Sequence, residues 1–180
     1  KKIGLLSQDT AELYFENLKV PKSNVLGDPS KGFKYLMQQL ATERLSLAVG
    51  CIAGCRAAIE QTVQYTQKRN AFGKPVSSFQ NTQFKLAEMA SETDIGQMYV
   101  DRLIEDKGRG TLTTEQASVA KYWTSDLLCK IVDECLQLHG GYGYMKEYPI
   151  SKMFLNARIG RIYAGTNEIM KIILARALQL

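Results

Sequence analysis

The feature that most constrains this fold is a helical spacing of apolar residues, which begins near residue 33 and continues almost to the end of the chain. Apolar and small residues recur three or four positions apart over three long segments, 33–67, 81–108 and 114–139. Turns rich in glycine and proline follow the first two segments, where such residues end helices. Long helices joined by short turns predict a bundle of antiparallel neighbours.

Local signals mark further helix ends in the second half of the chain. Thr113 and Gln116 form a capping-box pattern at the start of the third segment. Pro149 suits the first turn of a shorter helix over 149–159, and the apolar spacing predicts a last helix over 167–178. We therefore expect a mainly α fold, an antiparallel bundle of four to five helices.

Residues 1–21 are the one stretch with the partial alternation that is typical of strands. Two strands alone are only marginally stable in water, so this segment needs a partner sheet, and no such sheet is encoded in this sequence. The chain also begins at Lys1 rather than at Met. We therefore expect a piece of a longer protein, in which a short β segment precedes the helical bundle.

The composition is that of an ordinary globular domain and argues against several classes of function. A chain of 180 residues can build one domain with a real core. Its net charge of +5 is dispersed, which is typical of a solvated surface, so we expect no nucleic-acid partner. No apolar run approaches the ~20 residues of a membrane span.

The cysteines argue against a metal site. They lie at positions 51, 55, 129 and 135 without a C-x-x-C pair, and the chain has a single histidine, so a zinc site is not expected. Cys51 and Cys55 lie one helical turn apart among small apolar residues, which is typical of reduced, buried thiols. No signal or transit segment is recognisable, and we do not expect a secreted protein.

Two tight glycine turns near the end of the chain are candidate binding elements. Residues 137–141 close the third segment, and residues 164–168 open the last helix. Glycine leaves the backbone accessible, and free N–H groups beside the cap residue Thr166 can receive an anion or the polar edge of a cofactor. Glycine turns at helix ends are common and usually only structural, so their spacing leaves both interpretations open.

The literal strings at these turns are more specific. QLHGGYGY over 137–144, followed by YAGTNEI over 163–169, resembles the C-terminal region of acyl-CoA dehydrogenases, FAD enzymes that desaturate acyl thioesters. The resemblance covers essentially the whole chain. It implies that residues 1–25 end the family's middle β-domain and that residues 26–180 form its C-terminal helical domain. The N-terminal domain and most of the middle domain would then lie outside this sequence.

Glu43 is the candidate catalytic base. It lies on the apolar stripe between Leu40 and Leu47, so we expect it to be at least partly buried, where a carboxylate becomes a stronger base. From the residues alone, the alternative is a helix carboxylate that complements the macrodipole or pairs with a lysine.

The resemblance favours the catalytic interpretation. Most acyl-CoA dehydrogenases carry the base directly after the Tyr of a Y-E-G-T motif, where this chain has Ala164, which cannot take a proton. The isovaleryl-CoA and long-chain branches carry the base in an E-R-L segment of the first helix. In this chain that segment begins at Glu43. The overall string is most similar to the long-chain branch.

The resemblance also implies contacts with substrate for Tyr35, Arg44, Ala164 and Gly165, with Arg44 at the CoA part. From the sequence alone, Arg44 is equally well a surface arginine, and Tyr35 a core or rim tyrosine.

FAD is the implied cofactor, shared across a dimer. Arg69 and Phe72, with Gln80, correspond to residues that meet the FAD of a neighbouring subunit, and a guanidinium suits a pyrophosphate because it forks onto two oxygens. The turn at 137–141 corresponds to the part that receives the adenosine end. From the residues alone, His139 is more simply structural, and the glycines and Thr166 are helix caps. The implied cofactor-binding residues are Arg69, Phe72, Gln80, Gln137, Leu138, His139, Gly140, Gly141, Thr166, Asn167 and Glu168.

As partners, the resemblance implies an acyl-CoA substrate, self-association into homodimers and a homotetramer, and an electron-transfer flavoprotein as acceptor. It places the protein in the cytoplasm of a bacterium or the mitochondrial matrix of a eukaryote. Three alternatives remain: a dehydrogenase of isovaleryl or other branched acyl-CoA, an oxidase that passes electrons to oxygen, and a non-catalytic helical module that oligomerises.

Overall fold

The computed structural model describes all residues, 1–180, and five α-helices make up most of it. The three long helices are α1 (Gly32–Lys68), α2 (Gln80–Arg109) and α3 (Thr114–His139). Two shorter ones follow, α4 (Pro149–Ala157) and α5 (Asn167–Ala177). This confirms the mainly α fold, and each of the five helices begins within one residue of the predicted position.

The helix ends follow from local chemistry. Thr113 accepts a hydrogen bond from the Gln116 N–H while the Gln116 side chain accepts from the Thr113 N–H, so the predicted capping box is present. Gly110 ends α2 with a φ of 73°, a left-handed conformation that glycine adopts without strain. Pro149 starts α4, where its missing N–H has no consequence.

Between α1 and α2 lies a two-stranded antiparallel hairpin, β1 (Asn70–Ala71) and β2 (Lys74–Pro75), in which Asn70 pairs with Pro75 and Ala71 with Lys74. Short 3-10 turns connect the remaining elements at Lys22–Asn24, Pro29–Lys31, Val76–Ser78, Gly140–Tyr144 and Arg158–Arg161.

Residues 1–21 form no strand, which corrects the expected β segment. Almost all of this stretch is exposed, including apolar side chains such as Leu6, Leu13 and Phe15. The physical reason is that a strand needs hydrogen-bond partners along its edge, and no second strand lies beside this segment. Its one long-range hydrogen bond joins the Leu5 N–H to the side-chain oxygen of Asn156, at 2.7 Å.

The core lies around α3, which packs against each of the other four helices. Fifteen buried apolar residues form one cluster, drawn mainly from α1, α2 and α3 and closed by Ile150 and Ala157 of α4. All four cysteines are free thiols, and Cys51 and Cys55 are buried, as expected for that pair. Burial raises the pKa of Cys51 to about 11 and that of Cys135 to about 11, so both stay protonated at neutral pH. No helix is both long and apolar enough to cross a membrane.

Candidate active site

Arg44 and the turn between the 3-10 segment at Arg158–Arg161 and α5 lie in direct contact. The Nε of Arg44 donates to the carbonyl oxygen of Ala164 at 3.4 Å, and its Nη1 donates to the hydroxyl of Ser118 on α3, also at 3.4 Å. Arg44 is 5% exposed, so it is not the surface arginine that the sequence left open. Burial lowers the pKa of its guanidinium, while the charge of the adjacent Glu43 opposes that shift.

The expected burial of Glu43 is wrong for this chain, because its side chain is exposed. Arg44 and Leu45 are the buried residues of this helical turn, so the buried face of α1 is centred one residue beyond Glu43. Glu43 instead shares a face with Leu47 and Gly50, four and seven residues on. Those two residues line a cavity of about 260 Å³, together with others that include Tyr163.

The turn at Ala164 has an unusual backbone. Ala164 and Gly165 both have positive φ, 56° and 92°, and a side chain is strained in that region. Thr166 then caps α5 by accepting a hydrogen bond from the Ile169 N–H at 3.4 Å, as its N-cap position predicted. Glu168 is exposed in the first turn of α5, where its own N–H and the Thr166 hydroxyl lower the pKa of its carboxyl.

The side chain of Asn167, one of the implied cofactor-binding residues, faces inward. It is 1% exposed, and its Nδ2 donates to the Ser125 hydroxyl and to the Asp126 carboxylate, both at 3.0 Å. Its Oδ1 accepts from the ammonium of Lys121 at 2.7 Å. Only the backbone of Asn167 is therefore left to meet a ligand.

A second cluster of predicted residues lines a groove of about 440 Å³ at the C-terminal end of α3. The predicted members are Arg69, Gln137, Leu138, His139, Gly140 and Gly141, and the structure adds Tyr65, Val76, Tyr142 and Met145. The lining includes neither Glu43 nor any residue of the Ala164 turn. Most of the predicted site residues thus fall into two separate clusters, this groove and the group formed by Glu43, Arg44 and the turn at 164–168.

Aromatic rings and one guanidinium shape this groove. Arg69 is exposed, and its guanidinium carbon lies 5.4 Å from the ring centre of Tyr142. His139 is buried and stacks on Tyr65 with 4.2 Å between ring centres, while its Nδ1 lies 2.8 Å from the Cys135 carbonyl oxygen. Burial lowers the pKa of His139, so the ring is neutral near pH 7.

Gly140 ends α3 with a φ of 57° and a ψ of −139°, a conformation open only to glycine. No atom outside its immediate neighbours lies within 4 Å of where a Cβ would be at Gly140 or Gly141. The backbone at this turn is therefore approachable from the groove. A planar ring system with a negatively charged end fits these surroundings, because aromatic faces, an accessible backbone and a cation lie together.

Three predicted residues lie outside both clusters. Phe72 lies at the tip of the hairpin, 96% exposed and with a φ of 51°. Gln80 is exposed at the first position of α2. Tyr35 is partly exposed on α1, and its hydroxyl accepts a hydrogen bond from the Asp28 N–H at 3.0 Å, which ties it to the preceding loop.

The sequence interpretation missed Lys121, Tyr65 and Tyr142. Lys121 follows Ala117 by four residues on α3, so a cation on the apolar stripe was a readable signal. Tyr65 and Tyr142 carried no such signal, because their place in the groove depends on how α1 meets the end of α3. No group of three or more His, Cys, Asp or Glu side chains lies close enough together to hold a metal ion.

Comparison with known proteins identifies the family. Residues 30–179 match the family model described as acyl-CoA dehydrogenase, C-terminal domain. The mitochondrial long-chain specific acyl-CoA dehydrogenase of Mus musculus is 46% identical over 175 residues, which is 97% of this chain and 41% of the mouse protein. The chain thus spans less than half the length of that relative.

Solved structures match this chain in fold as well as in sequence. The acyl-CoA dehydrogenase of Geobacillus kaustophilus superposes with a TM-score of 0.96 at 47% identity, over 100% of this chain and 47% of that one. A solved structure of the electron transferring flavoprotein of Acidaminococcus fermentans also contains a chain that matches, with a TM-score of 0.94 at 36% identity, over 99% of this chain and 47% of that one. The chain therefore belongs to the acyl-CoA dehydrogenase family, and it carries that family's C-terminal domain.

Proposed function

We propose that this chain is the C-terminal part of an FAD-dependent acyl-CoA dehydrogenase that desaturates longer acyl chains, with Glu43 as the base that removes the α-proton. The contact between Arg44 and Ala164 carries the proposal. Through it, the residue next to Glu43 touches the position where most of the family carries the base. A base on α1 would thus reach the same region of space from another helix.

The surroundings of Glu43 suit this role. Its carboxylate is exposed, and an apolar cavity lies on the same face of α1, lined by Leu47, Gly50 and Tyr163. An acyl chain in that cavity would bring its first carbons toward Glu43. A non-catalytic module would be favoured by a buried Glu43 without a facing cavity, whereas Glu43 is exposed.

The groove beside Arg69 suits the adenosine and pyrophosphate end of FAD from a second subunit. Arg69 would pair with the pyrophosphate, and the accessible backbone at Gly140 and Gly141 would lie along the nucleotide. Phe72, exposed at the hairpin tip, and Gln80 would contact the same cofactor. When bound, FAD would accept the β-hydride at its N5 atom.

The separation of the two clusters supports an assembly in which each FAD contacts two subunits. In the homodimer or homotetramer that we propose, the backbone of Thr166, Asn167 and Glu168 would meet one FAD. The groove at Leu138 and His139 would meet the FAD of a neighbour. The protein would pass its electrons to an electron-transfer flavoprotein, and the match to a chain from such a structure supports that acceptor.

The other residues implied at the substrate are assigned from the same geometry. Arg44, held inside by Ala164 and Ser118, would support the substrate-facing turn of Ala164 and Gly165 rather than reach the solvent. Tyr35 would border the entrance to the site. Long acyl chains are proposed because of the identity to the mouse long-chain enzyme, with branched acyl-CoA as the alternative.

The test is Glu43→Gln in the whole protein, mixed anaerobically with a long-chain acyl-CoA while flavin absorbance is followed. We expect the variant to keep its yellow FAD and to bleach about 100-fold or more slowly, because the general base is gone. Glu60→Gln, at an exposed site on the same helix, is the matched control and should bleach at the wild-type rate.

A second variant tests the placement of the base. Ala164→Glu added to Glu43→Gln should restore part of the bleaching rate, because it returns a carboxylate to the family's usual position. Normal bleaching by Glu43→Gln alone would reject Glu43 as the base. A wild-type protein that consumes oxygen at the rate of turnover would instead identify an oxidase.

A further inference from the structure

Lys121 on α3 is a fully buried lysine without a carboxylate partner. It is 0% exposed, and its ammonium donates to the carbonyl oxygen of Gly165 at 2.7 Å and to Oδ1 of Asn167 at 2.7 Å. No salt bridge forms at this residue. Asp126 is the acidic group of this network, and it accepts a hydrogen bond from the Nδ2 of the Asn167 amide rather than from Lys121.

Burying this charge is not explained by stability alone. Removal from water lowers the pKa of Lys121, and the charge of Arg44 adds to that shift, while Cys51, Asp126 and Glu168 oppose it. An apolar side chain of similar length would avoid the desolvation, and such replacements are often neutral or stabilising in protein interiors. The lysine therefore calls for a reason beyond packing.

Its contacts supply that reason, because two buried cations hold two successive carbonyl groups. Arg44 binds the oxygen of Ala164, and Lys121 binds the oxygen of Gly165. Ala164 and Gly165 are also the two residues of this turn that have positive φ. Hydrogen bonds thus hold both carbonyl groups of the turn toward the interior, at the two residues whose backbone conformation is unfavourable by itself.

The orientation of the carbonyl groups also sets that of the N–H groups. In a trans peptide the N–H points opposite to the C=O, and no peptide bond here is cis. With both oxygens held inside, the N–H groups of Gly165 and Thr166 point away from the buried cations. Neither donates a hydrogen bond to another group of this chain.

We infer that Lys121 is a positioning residue for the cofactor and substrate site, acting through the Ala164–Asn167 turn. This inference rests on the proposed function, which assigns that turn to substrate and to FAD. Lys121 touches neither ligand. Its ammonium fixes the orientation of the turn, and its hydrogen bond to Asn167 also holds the first residue of α5.

The test compares Lys121→Met with Lys130→Met in the whole protein. Methionine keeps the length of the side chain and removes its charge and donors. Lys130 lies on the same helix but is exposed, and it pairs with Glu92 at 2.7 Å, so its variant controls for the loss of a lysine from α3. The dissociation constant of FAD is measured by titrating the apoprotein, well below the unfolding temperature, together with kcat and KM.

For Lys121→Met we expect a folded protein whose dissociation constant for FAD rises about tenfold or more, since charge-assisted hydrogen bonds that orient the turn are lost. Lys130→Met should stay within about twofold of the wild type. A merely structural lysine would lower the unfolding temperature and leave the affinity for FAD unchanged, and that result would overturn the inference.

Should Lys121→Met fail to fold, Asn167→Ser decides. It leaves the ammonium on the Gly165 carbonyl and removes the amide that ties α5 to Lys121, Tyr122, Ser125 and Asp126. A smaller rise in the dissociation constant is expected, and wild-type affinity would reject the inference. A wild-type protein that does not bind FAD would reject the proposed function itself, and the role of Lys121 with it.

Discussion

At the scale of single residues, hydrogen bonds constrain the buried polar side chains of this bundle. Every buried side-chain nitrogen and oxygen has a hydrogen-bond partner. Arg44 donates a hydrogen bond to the carbonyl oxygen of Ala164, and Lys121 donates one to the side chain of Asn167. His139 lies within hydrogen-bond distance of a carbonyl oxygen and stacks on a tyrosine ring. An unpaired polar group here would lose stability, so each of these residues specifies its neighbours.

His139 predicts a pH dependence of folding. Its folded pKa lies below the ordinary value of about 6.5, so protonation favours the unfolded chain. Its contribution is fully present above pH ~6.5 and is lost as the pH falls through the lowered folded pKa. The denaturant concentration at the unfolding midpoint should therefore decrease as the pH is lowered from about 7 to about 5.

His139→Gln is the control for that measurement. It removes the only histidine of the chain, so the decrease over this interval should become shallower, whatever the variant's stability at neutral pH. Equal slopes for the two proteins would contradict the assignment.

At the scale of helices, close approach depends on where glycine lies. A Cβ at Gly96 of α2 would lie 2.7 Å from Cδ1 of Ile52 on α1 and 2.8 Å from the ring of Trp123 on α3. Three helices thus meet at one residue without a side chain. At Gly50 of α1, by contrast, no such atom lies within 4 Å.

These two glycines predict opposite effects of the same substitution. Gly96→Ala should lower the free energy of unfolding by roughly 1–3 kcal/mol, because the tryptophan ring cannot yield easily. Gly50→Ala should raise it by roughly 0.5–1 kcal/mol, because alanine restricts the unfolded chain and favours the helix. Denaturant unfolding of both variants measures the difference, and equal effects would show that the helices separate readily at Gly96.

At the scale of the whole molecule, the helical core contributes more to the free energy of unfolding than the N-terminal segment does. Residues 1–25 are exposed apart from Gly4 and Leu5, which lie against α4 through Asn156 and Leu155. The core around α3 has no residue from this segment. Removing residues 1–25 should therefore change the free energy of unfolding by less than about 1 kcal/mol.

Circular dichroism and denaturant unfolding of the shortened chain test this prediction, with the 180-residue chain as reference. A loss of helix signal or a clearly lower midpoint would mean that the segment stabilises the bundle. Asn156→Ala, which removes its one long-range hydrogen bond, should mimic any small effect of the deletion.

The helices can be predicted from the sequence, because their signals are local. Thr113 with Gln116, Pro149, Gly110 and Thr166 act on neighbouring backbone groups, and the apolar spacing within each segment needs no partner to be recognised. The turn strings likewise indicated the family before any contact was known.

Which polar residues are buried depends on tertiary contacts. Glu43 and Arg44 are adjacent on one helix, and the packing of α3 and the Ala164 turn buries Arg44 while Glu43 remains exposed. Lys121 and Asn167 are buried against each other although 46 positions separate them in the chain. The residues at 1–21 have strand character but no partner strand. Local periodicity places Lys121 on an apolar stripe, but it does not identify the partners of a buried polar group, because these lie far apart in sequence.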